Sequence, residues 1–380
     1  MNFFDKYDWE TMLKRHAPVK YDISQYFEIL CPQNDYPVFL DRYIELPVMQ
    51  RLAGVGLLCG TDWTPLYKNR FYYSRLDHSK GVALIVWHFT HDKAQTIAGL
   101  LHDIATPVFS HVSDFRKGDM LTQTATEEPT ARIIRGDAAL NRLLAEDGLT
   151  AEQVEDYHLY PVADNEIPQL SADRLEYMFP SGMALDGSWT MEEIRRCYDD
   201  LVILKNEDGV DELGFQTLEI AELYCEHFCM IGHILQLNEN KLALHMLGQI
   251  MNMAEKEGLL TEADFMTLSE REVMDKLEAS LTGEDRLSKY YRTFRTMTTI
   301  EHTAEALGED YFCVNLKVKL RYINPLVLDP RVKPEGDKAM SLSGLTGQSV
   351  RLSDISEKGR RIIEDFKTYS DTPYGCAKLV

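Results

Sequence analysis

No stretch of this chain is apolar for long enough to cross a bilayer. The longest runs, such as "VALIVWHF", fall far short of the ~20 residues a spanning helix needs. The opening "MNFFDKYDWETMLKRH" has no continuous apolar core of the kind a secretory leader carries. The expectation is a soluble, cytoplasmic chain. Basic residues are scarce too: 40 Lys and Arg stand against 61 Asp and Glu, a formal net charge of −21. That excludes a long nucleic acid as an expected partner, because neutralising its phosphates takes a basic surface. It does not exclude a small phosphorylated molecule, since one metal ion and a few arginines reverse a local field. Cysteines number only 7, scattered at 31, 59, 197, 225, 229, 313 and 376, and read as reduced thiols. Internal repeats and low-complexity linkers are missing as well. What is present is a globular composition, 44% apolar and 27% charged over 380 residues, enough for one large domain and a smaller one.

Most of the chain has helical periodicity. Residues 36–60 carry Leu46, Val48, Met49, Leu52 and Val55 at three- and four-residue steps. Ser74 followed by Asp77 makes a capping-box start for a helix whose Val82, Ile85, Val86 and Phe89 share one face. Asp92 followed by Gln95 opens the next helix, and Thr106-Pro107 is placed to open another carrying Ser110, His111 and Asp114. A helix around 168–179 would carry Asp173, Arg174 and Tyr177. "LVILKNEDGVDELGF" reads as a hairpin near 201–215, and "YFCVNLKVKLRYI" alternates like a strand. "RLSDISEKGRRIIEDF" has the signature of a capped helix. The predicted fold is mainly α: a helical domain over 1–305 and a small α+β C-terminal subdomain over 306–380.

Two His-Asp pairs compete for chemistry. His91-Asp92 falls at a helix start, where an aspartate caps free N–H groups without needing a ligand. His102-Asp103 lies at the far end of the same helix, about 15 Å away at 1.5 Å per residue, so one ion cannot use both pairs. The downstream pair gains weight from His78, which shares a helix face with Arg75, and from Asp173 further on. Imidazoles and carboxylates in this mixture suit a divalent transition metal with open positions.

Four stretches, "ELPVMQRLAGVG", "RLDHSKGV", "AGLLHDIATPVFSHVSD" and "LSADRLEYMF", together resemble the HD-domain metal-dependent phosphohydrolases. The likeness is to the branch containing the deoxynucleoside triphosphate triphosphohydrolases. "LVILKNEDGVDELGF" and "LRYINPLVL" extend it over roughly residues 40–330. The resemblance implies an HD-domain helical fold and one divalent ion (manganese, iron, nickel, zinc or magnesium) held by His78, His102, Asp103 and Asp173. It implies further that Arg75 and Arg174 face substrate phosphates, that Tyr177 lies beside a sugar, and that the chain forms a homodimer or higher homo-oligomer.

The departures narrow the expected activity. Thr106 stands on the substrate side where that branch has an active-site histidine, and Thr126 replaces a second. Leu57 replaces a glutamine that contacts the nucleoside, and Ser181 an aspartate that reads the sugar. His111 and Asp114 remain, three apart, which suits an acid oriented by a carboxylate whose charge raises the imidazole pKa. The expected function is hydrolysis of a phosphate ester or anhydride in a small molecule, a nucleotide by preference, with Asp103 steering the water and His111 donating the proton. The alternatives are a triphosphohydrolase with a rearranged acid, or a catalytically silent sensor of a nucleotide or metabolite. Two other patterns read as structural. Cys225 and His233 are about 12 Å apart along one helix, too far to share an ion with Cys229. Arg286, Lys289, Arg292 and Arg295 form a solvated basic face.

Overall fold

A computed structural model of the chain describes residues 2–7, 22–121, 127–329, 331 and 349–380. Thr126 lies outside the described residues. The helices that matter for the site are α1 (Ile23–Leu30), α2 (Arg75–Thr90), α3 (Lys93–Leu101), α4 (Val112–Lys117), α5 (Ala172–Leu185), α6 (Leu218–Gln236), α7 (Asn238–Lys256) and α8 (Glu357–Thr368). The strands are β1 (Leu201–Lys205), β2 (Asp211–Phe215), β3 (Glu301–Thr303), β4 (Tyr311–Val314), β5 (Leu326–Leu328), β6 (Ser349–Arg351) and β7 (Tyr374–Lys378). The mainly α reading holds, and among the described residues no helix is long and apolar enough to cross a membrane.

Local signals place the helix starts. Ser74 and Asp77 close a reciprocal capping box on α2, and the Asp92 side chain accepts the Gln95 N–H to open α3. The Ser356 side chain caps α8. Helix α5 begins at Ala172 behind its N-cap Ser171, later than the expected start near Pro168, which instead sits in a cis peptide bond with Ile167. Between 36 and 60 the helical periodicity breaks into short turns at Leu40–Ile44, Pro47–Gln50 and Arg51–Gly54. The segment expected as a helix from Pro107 is non-helical up to His111, because Phe109 and Ser110 both adopt left-handed backbone with φ of 61° and 52°.

The hairpin is where the sequence put it, with β1 and β2 antiparallel from Leu201↔Phe215 to Lys205↔Asp211. Strand β5 joins β2 in parallel and β6 joins β5, giving the order β1-β2-β5-β6. A second sheet has the order β3-β7-β4. Residues 306–380 thus complete the hairpin's sheet and pair with β3, which lies before 305. Phe312, Val327, Phe366 and Ala377 share one core cluster with Phe4 and Val82. The strand expected over 311–323 stops at Val314, and the chain then runs irregularly past Lys319 and Arg321 towards β5.

The cysteines correct an expectation. Cys313 on β4 faces Cys376 on β7 in register, with 4.1 Å between their Cα atoms, and the two are joined as a disulfide. Cross-strand pairing brings together residues 63 apart in sequence, which spacing alone does not reveal. The other five cysteines are free.

Candidate metal centre

Helices α2 and α3 form an antiparallel pair, and the last turn of α3 sets His102 against His78. Their Nε2 atoms are 3.2 Å apart. Each imidazole is oriented from behind. His102 Nδ1 lies 2.7 Å from the Gly99 carbonyl; an oxygen there can only accept, so Nδ1 carries the proton and Nε2 the lone pair. His78 Nδ1 lies 2.5 Å from Glu176 Oε2, which fixes the same tautomer. Asp173 Oδ1 is 3.1 Å from His78 Nε2 and 3.8 Å from His102 Nε2, while Asp103 Oδ2 is 3.8 Å and 3.5 Å from the same two atoms. Four electron-pair donors therefore converge with no hydrogen-bond donor among them, an arrangement a cation relieves. Two ligands each about 2.1 Å from one ion lie roughly 3–4 Å apart, as the two Nε2 atoms do. The residues fit a divalent metal. His78, His102 and Asp103 approach one another within 4.8 Å, and Asp173 stands beside both histidines.

Electrostatics supports the same reading. Burial alone would lower the His78 pKa, but Asp173 and Glu176 outweigh it and push it up to about 10. Burial would raise the Asp103 carboxyl, yet Arg75, His102 and His78 hold it well below the usual carboxylate range. Asp173 is likewise lowered by the histidines against burial.

Glu176 is a site residue that the sequence reading missed. It is fully buried on α5, and its Oε1 accepts the hydroxyls of Tyr26 (3.0 Å) and Tyr73 (2.5 Å). Its one sequence signal is its position three residues after Asp173, on the same helix face. Gly81 lets it in: a Cβ there would lie 2.4 Å from Glu176 Oε1. Glu176 also needs help from its own helix, because Pro180, four residues on, offers no N–H to the Glu176 carbonyl. The Tyr26 hydroxyl lies 3.5 Å from that oxygen.

The centre opens onto a cavity of about 540 Å³. Arg75 donates from Nη1 to Asp103 Oδ2 at 2.8 Å and from Nε to Ser110 Oγ at 3.0 Å. Thr106 spends its hydroxyl on Asp103 Oδ1 at 2.7 Å, so it orients the ligand as well as lining the cavity. Tyr177 and Leu57 line the cavity too, and so does Ser181. Arg174 lines the cavity as well, with its guanidinium bonded to the Gln169 carbonyl at 2.8 Å, to Asn165, and to Asp164 at 3.2 Å. Lys319 and Arg321, which sequence reading left in a strand, line the cavity too.

His111 and Asp114 pair as expected, Nδ1 to Oδ2 at 2.9 Å. The expected rise in the His111 pKa is overturned. Burial is the largest influence and lowers it; Asp114 raises it, and Arg321 and Arg75 lower it further. With Nδ1–H directed at Asp114, Nε2 presents a lone pair, 3.4 Å from Arg321 Nη2.

The structural reading of the decoys agrees with their surroundings. His91 caps α2 in left-handed backbone and bonds Asp35 at 2.9 Å, remote from the centre. Cys225 and Cys229 are fully buried, and His233 stacks on Phe4. Arg292 pairs with Glu284 and Arg295 lies over Trp63. Glu239, His302 and Asp371 also cluster, but both His302 nitrogens are spent on the carboxylates, at 2.9 Å and 3.3 Å.

No family model matches the chain. It is 24% identical over 343 residues to the uncharacterized protein YdhJ of Bacillus subtilis, a match covering 89% of this chain and 94% of that one. It is 29% identical over 153 residues to a protein of Cordyceps militaris named metal-dependent phosphohydrolase cns2, covering 40% of this chain and 43% of the other. Among solved structures it resembles a phosphohydrolase from Bacteroides thetaiotaomicron, with a TM-score of 0.55, 14% identity, and 91% and 96% of the two chains covered. A hypothetical protein from Aquifex aeolicus superimposes with a TM-score of 0.58, also at 14% identity, over 90% of this chain and 92% of the other. Across nine-tenths of its length, the chain therefore has the fold of a solved phosphohydrolase.

Proposed function

We propose that this chain is an HD-type metal-dependent phosphohydrolase acting on a small phosphorylated molecule, a nucleotide by preference. The observation that carries the reading is the convergence of His78, His102, Asp103 and Asp173 on one point beside Arg75, at the wall of a cavity. The name of the Cordyceps relative and the description of the Bacteroides structure support it.

His78, His102, Asp103 and Asp173 would hold the ion, which when bound supplies Lewis-acid polarisation and a more acidic water. Arg75 acts on the same oxygen side. Tied to Asp103 and Ser110, it presents a fixed cation that stabilises charge gathering on phosphoryl oxygens. Lys319 and Arg321 extend this positive wall together with Arg174, which is held by Asp164 and Asn165. His111 is neutral at rest, so it accepts a proton at Nε2 while Asp114 holds the ring; this replaces the proton-donor role read from sequence. Tyr177 and Leu57 contribute the less polar wall against which a nucleoside would rest.

A silent sensor is the second reading. It is favoured by Thr106, whose hydroxyl is committed to Asp103 and cannot titrate near neutrality. A panel of nucleoside mono-, di- and triphosphates, with phosphate, pyrophosphate and tripolyphosphate measured separately, tests both. Phosphate release from mono- or diphosphates is the expected result. Tripolyphosphate as the main product would assign a triphosphohydrolase instead, and binding without turnover across the panel would assign the sensor.

A further inference from the structure

Glu270 lies outside the metal centre, yet it is 1% exposed and both of its carboxylate oxygens accept N–H bonds. Gly56 N donates to Oε1 at 2.9 Å, and Trp63 Nε1 donates to Oε2 at 2.7 Å. Burial pushes its pKa up to about 7, while Trp63 and the backbone amides of Gly56 and Phe109 favour the charged form and Asp62 opposes it. A group so costly to bury calls for a reason. Gly56 supplies one, because three contacts meet on it.

The Gly56 amide is held by Glu270, and its carbonyl accepts the Ser110 hydroxyl at 3.0 Å. Its backbone pairs with Ser74, the N-cap of α2. Leu57 N donates to the Tyr73 carbonyl at 2.9 Å and Arg75 N to the Val55 carbonyl at 2.8 Å, so the strand-like segment 55–57 fixes the start of the helix that delivers Arg75 and His78. Ser110, whose hydroxyl is spent on Gly56, accepts Arg75 Nε in turn. It does so from left-handed backbone, which persists only when the surroundings over-determine it. From Glu270 the bonds run unbroken through Gly56 and Ser110 to Arg75, and from Arg75 to Asp103.

We propose that Glu270 is a positioning residue for the phosphohydrolase site, acting through Gly56 and Ser110 to hold the Arg75 guanidinium against Asp103. The proposal rests on the function given above for Arg75. The carboxylate is needed because the groups that favour it, the Gly56 and Phe109 amides and the Trp63 indole, are all N–H donors. A glutamine must turn its amide N–H towards either Gly56 or Trp63, where another N–H already points.

The test is a double-mutant cycle with p-nitrophenyl phosphate and Mn²⁺. E270Q and S110A should each lower kcat by about 10- to 100-fold, as expected for a misplaced catalytic group, with bound metal unchanged. The double variant E270Q/S110A should be no worse than S110A, because both cut one chain of bonds. Multiplying effects, or full kcat in E270Q, would overturn the proposal. Trp63→Phe leaves the Gly56 bond intact and should keep kcat within about twofold. Added to E270Q, it removes the competing donor, so the amide can turn away from Gly56 and kcat returns to the W63F level. If E270Q does not fold, that double variant carries the test, and a kcat below about one-tenth of W63F's overturns the proposal. A readout without turnover separates this from the function itself: the Arg75 Nε–H resonance, protected from exchange by Ser110, should lose protection in both S110A and E270Q. A wild type without phosphatase activity but with that pattern refutes the function and keeps the positioning role. Protection retained in E270Q refutes the positioning role.

Discussion

Replacing Glu176 by glutamine is the most informative perturbation of the metal centre, because it changes one charge and almost no volume. Glu176 Oε2 lies 2.5 Å from His78 Nδ1 in a fully buried site. A glutamine can place its carbonyl oxygen there and turn its amide towards Tyr26 and Tyr73, whose hydroxyls rotate from donating to accepting. The fold should therefore survive. What is lost is the negative charge that makes His78 Nε2 a stronger base and that favours a cation beside it. Partners of this kind contribute about 10- to 100-fold to metal affinity, which is about 1.4–2.8 kcal/mol. The assay is competition for Zn²⁺ or Mn²⁺ against a chelating dye at fixed pH, with thermal unfolding followed on the same samples. E176Q should bind about 10- to 100-fold more weakly with near-normal unfolding. E176A should do worse on both counts, because it leaves two tyrosine hydroxyls without their acceptor. Equal affinity of E176Q and wild type would refute the reasoning, since His78 would then owe nothing to the charge behind it.

Three further outcomes are expected. Asp103→Ala or His102→Ala should remove stoichiometric metal while His91→Ala retains it; elemental analysis showing the reverse would mean that the ion sits at the other pair. His111→Ala should lower kcat by about 10²–10⁴-fold, the usual contribution of a general acid or base. Because burial holds the His111 pKa below its ordinary 6.5, the wild-type activity should fall as pH drops through that lowered value; a limb falling on the alkaline side and abolished in His111→Ala would restore the proton-donor role. Cys376→Ser opens a loop of 63 residues, which by chain entropy contributes about 4 kcal/mol. Unfolding in denaturant should shift accordingly, and a wild type equally stable with and without reductant would show that the bridge contributes nothing.

The local elements at the site were legible in the sequence because their signals are local. Ser74 with Asp77 and Asp92 with Gln95 set helix starts through bonds that span three residues, and the hairpin turn at 206–209 lies between two β-rich runs. Separation along a single helix was enough to divide His91-Asp92 from His102-Asp103. The family resemblance pointed to His78, His102, Asp103 and Asp173 as expected ligands, and the fold brings these four side chains together. Tertiary structure decided everything that depends on what lies across a gap. Glu176 and Gly81 belong to different helices, and only their packing shows that the missing Cβ makes room for the carboxylate behind His78. The bonds of Arg174 to Asp164 and Asn165 could not be foreseen, because those partners lie in a loop whose path no periodicity reports. The His111 pKa moved opposite to expectation because sequence showed the carboxylate three residues away, but not the burial or the arginines brought up from residues 75 and 321. Short-range hydrogen bonds are written in neighbouring residues. Desolvation and long-range charge are properties of the packed chain, and they decide what each titratable group can do.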